Sequence, residues 1–100
     1  MIRELMLPPD AETAEQAVEL LRGWIIDGHP QYSLLPTVWK DDLDSWGCFL
    51  ADTARHITNA VAENTGRDSE EILRTIKLAF MREINDPQNT HEGEFHDRNA

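Results

Sequence analysis

Apolar residues recur at intervals of three and four between residues 43 and 61. The members of this stripe are Leu43, Trp46, Leu50, Ala54, Ile57 and Val61. Such spacing places side chains on one face of an α-helix, so the stripe predicts an amphipathic helix that buries this face. Asp41 and Asp42 suit its start, because carboxylates cap and stabilise helix N-termini. Thr65-Gly66 predicts its end near Asn64, because glycine readily adopts the left-handed conformation of a C-cap.

A second helical pattern begins a few residues later. Asp68 and Glu71 have the spacing of a capping box, in which the two side chains satisfy backbone N–H groups of the first turn. The apolar side of this helix is formed by Ile72, Leu73, Ile76, Phe80, Met81 and Ile84. Asp86-Pro87 ends it, because proline lacks the N–H group that a helix needs. The short connection between the two helices predicts an antiparallel helical hairpin.

Upstream of the helices, two short apolar runs flank a concentrated turn signal. The runs are residues 20–26 and 31–35, and Asp27-Gly28-His29-Pro30 lies between them. An Asp-Gly pair between apolar runs is typical of a β-hairpin. The first run also fits a helical stripe, but the turn signal that follows it favours strands. With Asp27 facing Pro30, Ile25 lies opposite Tyr32.

Both faces of the predicted hairpin are substantially apolar. One face carries Leu21, Gly23, Ile25, Tyr32 and Leu34, and the other carries Leu20, Arg22, Trp24, Ile26, Ser33 and Leu35. One face can pack on the helical pair, which predicts an α+β fold of a β-hairpin followed by an antiparallel two-helix hairpin. The other face needs a cover, because a lone two-stranded hairpin is marginally stable in water.

A second copy of the chain provides the cover that we predict. Two hairpins can pair edge to edge into a four-stranded sheet, or they can meet face to face around Trp24 and Ile26. The sequence therefore predicts a homodimer formed through the β-hairpin. The alternative is that an N-terminal arm covers its own chain, through the apolar residues Ile2, Leu5, Met6 and Leu7.

These patterns divide the chain into three parts. Residues 1–17 are predicted to form an arm, extended as far as Pro8-Pro9 and followed by one or two helical turns from Ala11 to Ala17. Residues 18–87 are predicted to form a single α+β domain. Residues 88–100 contain one large apolar side chain and are predicted to be a flexible acidic tail.

Composition excludes several functions. The 19 acidic and 9 basic residues give a net charge of −10, which repels nucleic acids and anionic lipids, so we expect neither as a partner. Cys48 is the only cysteine, and no run of residues has the length of a membrane span or a signal peptide. We therefore expect a cytoplasmic protein.

One cluster on the first helix has the residue types of acid–base chemistry. Asp52, Arg55 and His56 lie three and four residues apart, so their side chains can touch on one helix face. A carboxylate beside an imidazole can act in proton transfer. An ion pair on a helix surface is the commoner role of such residues, and we assign no catalytic residue. Arg22 is a second charged candidate, with Glu19 or Asp52 as its partner.

Aromatic residues provide the other candidate site. Trp39 is predicted to lie in a loop, where together with Tyr32 it can line a small pocket or a groove for a partner. Trp24 lies on the hairpin face that we expect to contact a second copy of the chain. The tail has ligand types suited to metals, His91, Glu92, Glu94 and His96, but ordering a flexible tail is costly. We predict no metal and no cofactor.

Part of the sequence resembles a known family. The matching residues are Leu20-Leu21-Arg22-Gly23-Trp24-Ile25-Ile26-Asp27-Gly28, Tyr32-Ser33-Leu34, Trp39, Trp46-Gly47 and Leu50-Ala51-Asp52-Thr53-Ala54-Arg55-His56. Across residues 17–87 the chain is similar to a small bacterial family catalogued only as a domain of unknown function. The resemblance implies a bacterial source and a hairpin followed by two helices. It implies no activity, cofactor or catalytic residue.

We therefore expect a noncatalytic binding or regulatory module that acts as a homodimer and binds an unidentified protein or small ligand. Its candidate binding residues are Trp24, Tyr32, Trp39, Asp52, Arg55 and His56. The alternative is a small enzyme or ligand-binding protein with a pocket around His56, Asp52 and Trp39. A concave site that contains His56 would favour the enzyme, and a broad apolar surface would favour the module.

Overall fold

The fold was determined as a computed structural model, which describes residues 1–87. Two strands come first, β1 (Leu21–Ile26) and β2 (His29–Leu34), and two helices follow, α1 (Leu43–Thr65) and α2 (Ser69–Asn85). The strands pair in antiparallel orientation. This arrangement confirms the predicted α+β fold of a β-hairpin followed by two helices.

The hairpin turns more tightly than expected. Ile26 pairs with His29, so only Asp27 and Gly28 form the loop. Their φ angles of 50° and 86° are both positive, as a type I′ turn requires. The expected pairing of Ile25 with Tyr32 is therefore wrong, since Ile25 lies opposite Pro30 and Tyr32 lies opposite Gly23. The shift moves each partner by two residues, so the predicted composition of the two faces is unchanged.

The helix ends follow the capping residues. Asp42 precedes α1 as expected, but its carboxylate accepts a hydrogen bond of 2.7 Å from the Ser45 hydroxyl and none from a backbone N–H group of the first turn. Gly66 ends that helix in the left-handed conformation, with a φ of 74°. The Asp68 carboxylate accepts a hydrogen bond from the Glu70 backbone N–H group at the start of α2. The short connection between Gly66 and Asp68 therefore reverses the chain and leaves the two helices packed together.

The core between the helices is small. Thr58 of α1 and Ile72 of α2 are 4% and 6% exposed, and they are the only residues of the described chain classed as buried. The expected core stripe of α1 is only partly covered. Ala54 and Val61, four and three residues from Thr58, are half-buried, whereas Leu43, Leu50 and Ile57 are exposed. A single neighbouring helix covers only one side of a helix, which leaves the rest of the stripe open.

The N-terminal arm is extended and makes little contact. The expected helical turns at residues 11–17 reduce to a turn in which the Ala14 N–H group donates to the Asp10 carbonyl oxygen at 3.1 Å. Along the arm, Ile2, Leu5, Met6 and Leu7 all remain exposed. The arm therefore does not cover its own chain with these residues, as the alternative to a dimer required.

The hairpin and the helical pair make no close backbone contact. No Cα atom of β1 or β2 lies within 8 Å of a Cα atom of α1 or α2. The structure therefore does not confirm the expectation that one hairpin face packs on the helices of the same chain. Among residues 1–87, neither helix is long and apolar enough to cross a membrane.

Candidate functional site

The hairpin presents an apolar surface to solvent. On one face, Ile25 is 72% exposed and Tyr32 is also exposed, with half-buried Leu21 and Leu34 beside them. The Tyr32 ring lies against the position that a side chain at Gly23 would occupy, 3.5 Å from an ideal Cβ atom there. An aromatic ring thus covers the strand where the glycine leaves a gap.

The opposite face carries Trp24 and a charged network centred on Arg22. The Arg22 guanidinium donates to both Glu19 carboxylate oxygens at 2.9 and 3.2 Å, and to Glu4 at 2.9 Å. The hydrogen bond and the negative charge of Glu19 raise the pKa of Arg22. Glu19 is one of the two partners that the sequence suggested for Arg22, and Asp52 does not take that role.

Open grooves separate the N-terminal arm from β1. One of about 680 Å³ is lined by residues 1–5 and 24–27, and another of about 560 Å³ by residues 3–8, 19 and 21–24. The ion pair between Glu4 and Arg22 is the polar side-chain link between arm and strand. The arm therefore runs beside the strand and leaves space between them.

Trp39 belongs to a different cluster from the one expected. Its ring lies 5.2 Å from the Trp46 ring and 5.9 Å from the Phe49 ring, measured between centroids. Among residues 1–87, the rings in contact with Trp39 are those of Trp46 and Phe49, and the Tyr32 ring is not one of them. These edge-on and tilted contacts fix the loop between β2 and α1 against the first turns of α1. The structure thus gives Trp39 a structural contact and does not bring it to the hairpin.

Asp52 and His56 do meet. The Asp52 Oδ2 atom lies 3.3 Å from the His56 Nε2 atom, and the two side chains are 69% and 76% exposed. Arg55 is also exposed and makes no hydrogen bond or ion pair within residues 1–87. The pair lies on the convex surface of α1, and neither groove beside the arm contains it.

The apolar surface extends beyond the candidate binding residues. On α2, Leu78, Phe80, Met81 and Ile84 are exposed, and on α1 Leu43, Leu50 and Ile57 are exposed. Except for Leu78, these residues belong to the apolar helix faces that the sequence predicted to be buried, so helical periodicity was the signal that identified them. Cys48 is an exposed free thiol. Within residues 1–87 no cluster of side chains suits a metal ion, and His91 to His96 lie outside the described residues.

The described residues define a class of small α+β proteins, in which a β-hairpin precedes an antiparallel helix pair and both leave apolar faces open. A family model described as Domain of unknown function (DUF5076) matches residues 4–88. The chain belongs to this family, which confirms the resemblance to an uncharacterised family.

One solved structure is similar over nearly the whole chain. It comes from a protein of the photosynthetic bacterium Rhodopseudomonas palustrus CGA009 that is provisionally named a pyruvate dehydrogenase. The two sequences are 30% identical, the TM-score is 0.72, and the match covers 94% of this chain and 95% of that one. The arrangement of hairpin and helices is therefore shared between them. A search of curated proteins finds no significant match.

Proposed function

We propose that the protein is a noncatalytic interaction module that acts as a homodimer. The observation that carries this proposal is the set of exposed apolar side chains on the hairpin and on both helices, and the hairpin makes no close backbone contact with either helix. Soluble monomers rarely expose apolar patches of this extent. A second copy supplies matching apolar surface and completes a core that one chain does not form.

The exposed apolar side chains support this proposal. Ile25 of the hairpin is 72% exposed, and Leu43 of α1 and Leu78 of α2 are 70% and 60% exposed. The hairpin and both helices therefore offer apolar surface that a second copy can bury.

An enzyme is the weaker candidate. Its proposed centre, His56 with Asp52, is exposed on a helix surface, and Trp39 packs elsewhere. The dehydrogenase name of the similar protein adds no residue to this pair, and the sequence has no glycine-rich phosphate-binding motif. The apolar surface favours a role in protein–protein contact over catalysis.

Sedimentation equilibrium of the full chain tests the homodimer. We expect a mass of twice 11.5 kDa that gives way to the single-chain mass only on dilution. A single-chain mass at the highest concentration would overturn the proposal. Ile25→Asp, on the open hairpin face, should weaken association more than tenfold. Leu78→Asp makes the same charge change at an exposed position of α2 and serves as the matched control. If Leu78→Asp weakened association more than Ile25→Asp, the interface would lie on the helices and not on the hairpin.

A further inference from the structure

We propose that the seam of the homodimer is the outer edge of β1. In this arrangement β1 pairs in antiparallel orientation with β1 of a second copy, centred on Gly23, to give a sheet of four strands. This inference rests on the proposed homodimer and assigns its interface. The second copy is the occupant, and the evidence for it comes from the two edges of the hairpin and from the sequence of β1.

The hydrogen-bond pattern shows which backbone groups face outward. The Leu35 N–H group donates to the Leu20 carbonyl oxygen at 3.0 Å, and antiparallel pairs alternate between bonded and non-bonded. The even-numbered residues of β1 therefore bond to β2. The odd-numbered residues direct their N–H and C=O groups away from it, and these residues are Leu21, Gly23 and Ile25. No backbone group of residues 1–87 outside the strand is hydrogen-bonded to them.

The two edges of the hairpin differ. Pro30 lies on the outer edge of β2, opposite Ile25, where its missing N–H group blocks the addition of another strand. The outer edge of β1 contains no proline. An added strand therefore finds an unbroken row of donors and acceptors only at β1.

The sequence of β1 is complementary to itself. With Gly23 opposite Gly23 of the second copy, Leu21 lies opposite the second Ile25, and Arg22 opposite the second Trp24. Apolar side chains then meet apolar ones on one face, while on the other each guanidinium lies beside an indole, a favourable cation–π pair. Like charges do not meet, as they would if Arg22 lay opposite Arg22. All three outward-facing residues of each β1 form bonded pairs in this register.

The arm leaves this edge accessible. Its polar side-chain link to β1 is the ion pair of Glu4 with Arg22, whose side chains are 57% and 40% exposed. Exposed ion pairs contribute little net stability. The grooves between arm and strand already separate the two. The arm can therefore move aside at little cost when a second β1 arrives.

Two backbone methylations test the seam with every side chain retained. The junction of Gly47 with Cys48 allows native chemical ligation of the full chain from two synthetic segments. An N-methyl group on Ile25 removes an outward donor of β1 and adds bulk at its edge. An N-methyl group on Tyr32 makes the same change on the outer edge of β2, because Tyr32 pairs with Gly23 at a non-bonded position.

We expect methylation of Ile25 to raise the dissociation constant of the dimer at least tenfold in sedimentation equilibrium. Methylation of Tyr32 should change it less than threefold. If both methylated chains dimerise like the unmodified chain, or both are weakened equally, the seam is overturned while the homodimer stands. If the unmodified chain is a monomer, both the proposed homodimer and the proposed seam are overturned.

A second measurement does not depend on any variant. Dimers mixed from isotope-labelled and unlabelled chains should show intermolecular nuclear Overhauser effects between the methyl groups of Leu21 and Ile25. A dimer that lacks these contacts but shows others would place the second copy on another surface and overturn the seam.

Discussion

Ile72 shows how little apolar packing the described part of one chain provides. It lies on α2, which packs on α1, and it is the only buried apolar residue among residues 1–87. We predict that Ile72→Ala lowers the free energy of unfolding by about 2–4 kcal/mol, because it removes buried methyl groups and leaves a cavity between the helices. Urea unfolding followed by circular dichroism, at one fixed protein concentration, measures the change.

Leu78→Ala is the matched control on the same helix, since Leu78 is 60% exposed. Its expected cost is below about 1 kcal/mol. Equal costs for the two variants would mean that the helices pack differently from the structure, or that a second copy buries Leu78.

His56 provides a prediction about the acid–base pair. Both side chains of the pair are largely exposed, and such pairs contribute about 0–1 kcal/mol. We therefore predict that His56→Ala changes the free energy of unfolding by less than about 1 kcal/mol and leaves association unchanged. Thermal or urea unfolding and sedimentation of the variant provide both readings. A large loss in either would assign His56 a contact beyond Asp52.

The sequence identified some residue contacts and missed others for a physical reason. Helix spacing placed His56 beside Asp52, and this contact is present. Arg55 lies three residues from Asp52 on the same helix but makes no polar contact with it, because sequence spacing identifies neighbouring side chains without fixing their rotamers. Trp39 was expected beside Tyr32. It packs on Trp46 and Phe49 instead, because the loop that carries it folds back on α1.

Two glycines, one inside α1 and one at its C-terminal cap, should change the free energy of unfolding in opposite directions when replaced by alanine. Gly66 ends the helix at a φ of 74°, a conformation that costs a residue with a Cβ atom about 1 kcal/mol. Gly47 lies inside the helix, with open space around the position of a Cβ atom. We predict that Gly66→Ala destabilises the protein by about 1 kcal/mol and that Gly47→Ala stabilises it by about 0.5–1 kcal/mol. Urea unfolding of both variants measures the difference, and the same sign for both would contradict the assigned end of α1.

At the scale of elements, the sequence predicted most of what the structure shows. Asp68 and Gly66 marked helix ends because capping is a local interaction that the sequence encodes directly. The strand register was wrong because His29 and Pro30 were assigned to the turn. Asp27 and Gly28 alone close it, since both accept a positive φ. Pro30 is accommodated in the strand because its position needs no hydrogen bond to β1.

At the scale of the whole molecule, the sequence predicted excess apolar surface but not which chain covers it. Hydrophobic periodicity shows that a face is apolar. It does not show whether the surface that covers this face belongs to the same chain or to another. The expected packing of hairpin on helices assumed that it does. The structure does not confirm that assumption, because no close backbone contact joins the hairpin to the helices, and the apolar side chains that stay exposed carry the proposal of a homodimer.

The stability of the whole molecule should therefore depend on protein concentration. When two folded chains share one core, unfolding separates them, so each tenfold rise in concentration adds about 1.4 kcal/mol to the free energy of unfolding. With a denaturant slope near 3 kcal/mol/M for the pair, the urea midpoint should rise by about 0.5 M per tenfold. A midpoint that is the same at all concentrations would show that each chain folds alone. Ile25→Asp supplies the internal comparison: if it prevents association, its midpoint should be lower and independent of concentration, because only contacts within one chain remain.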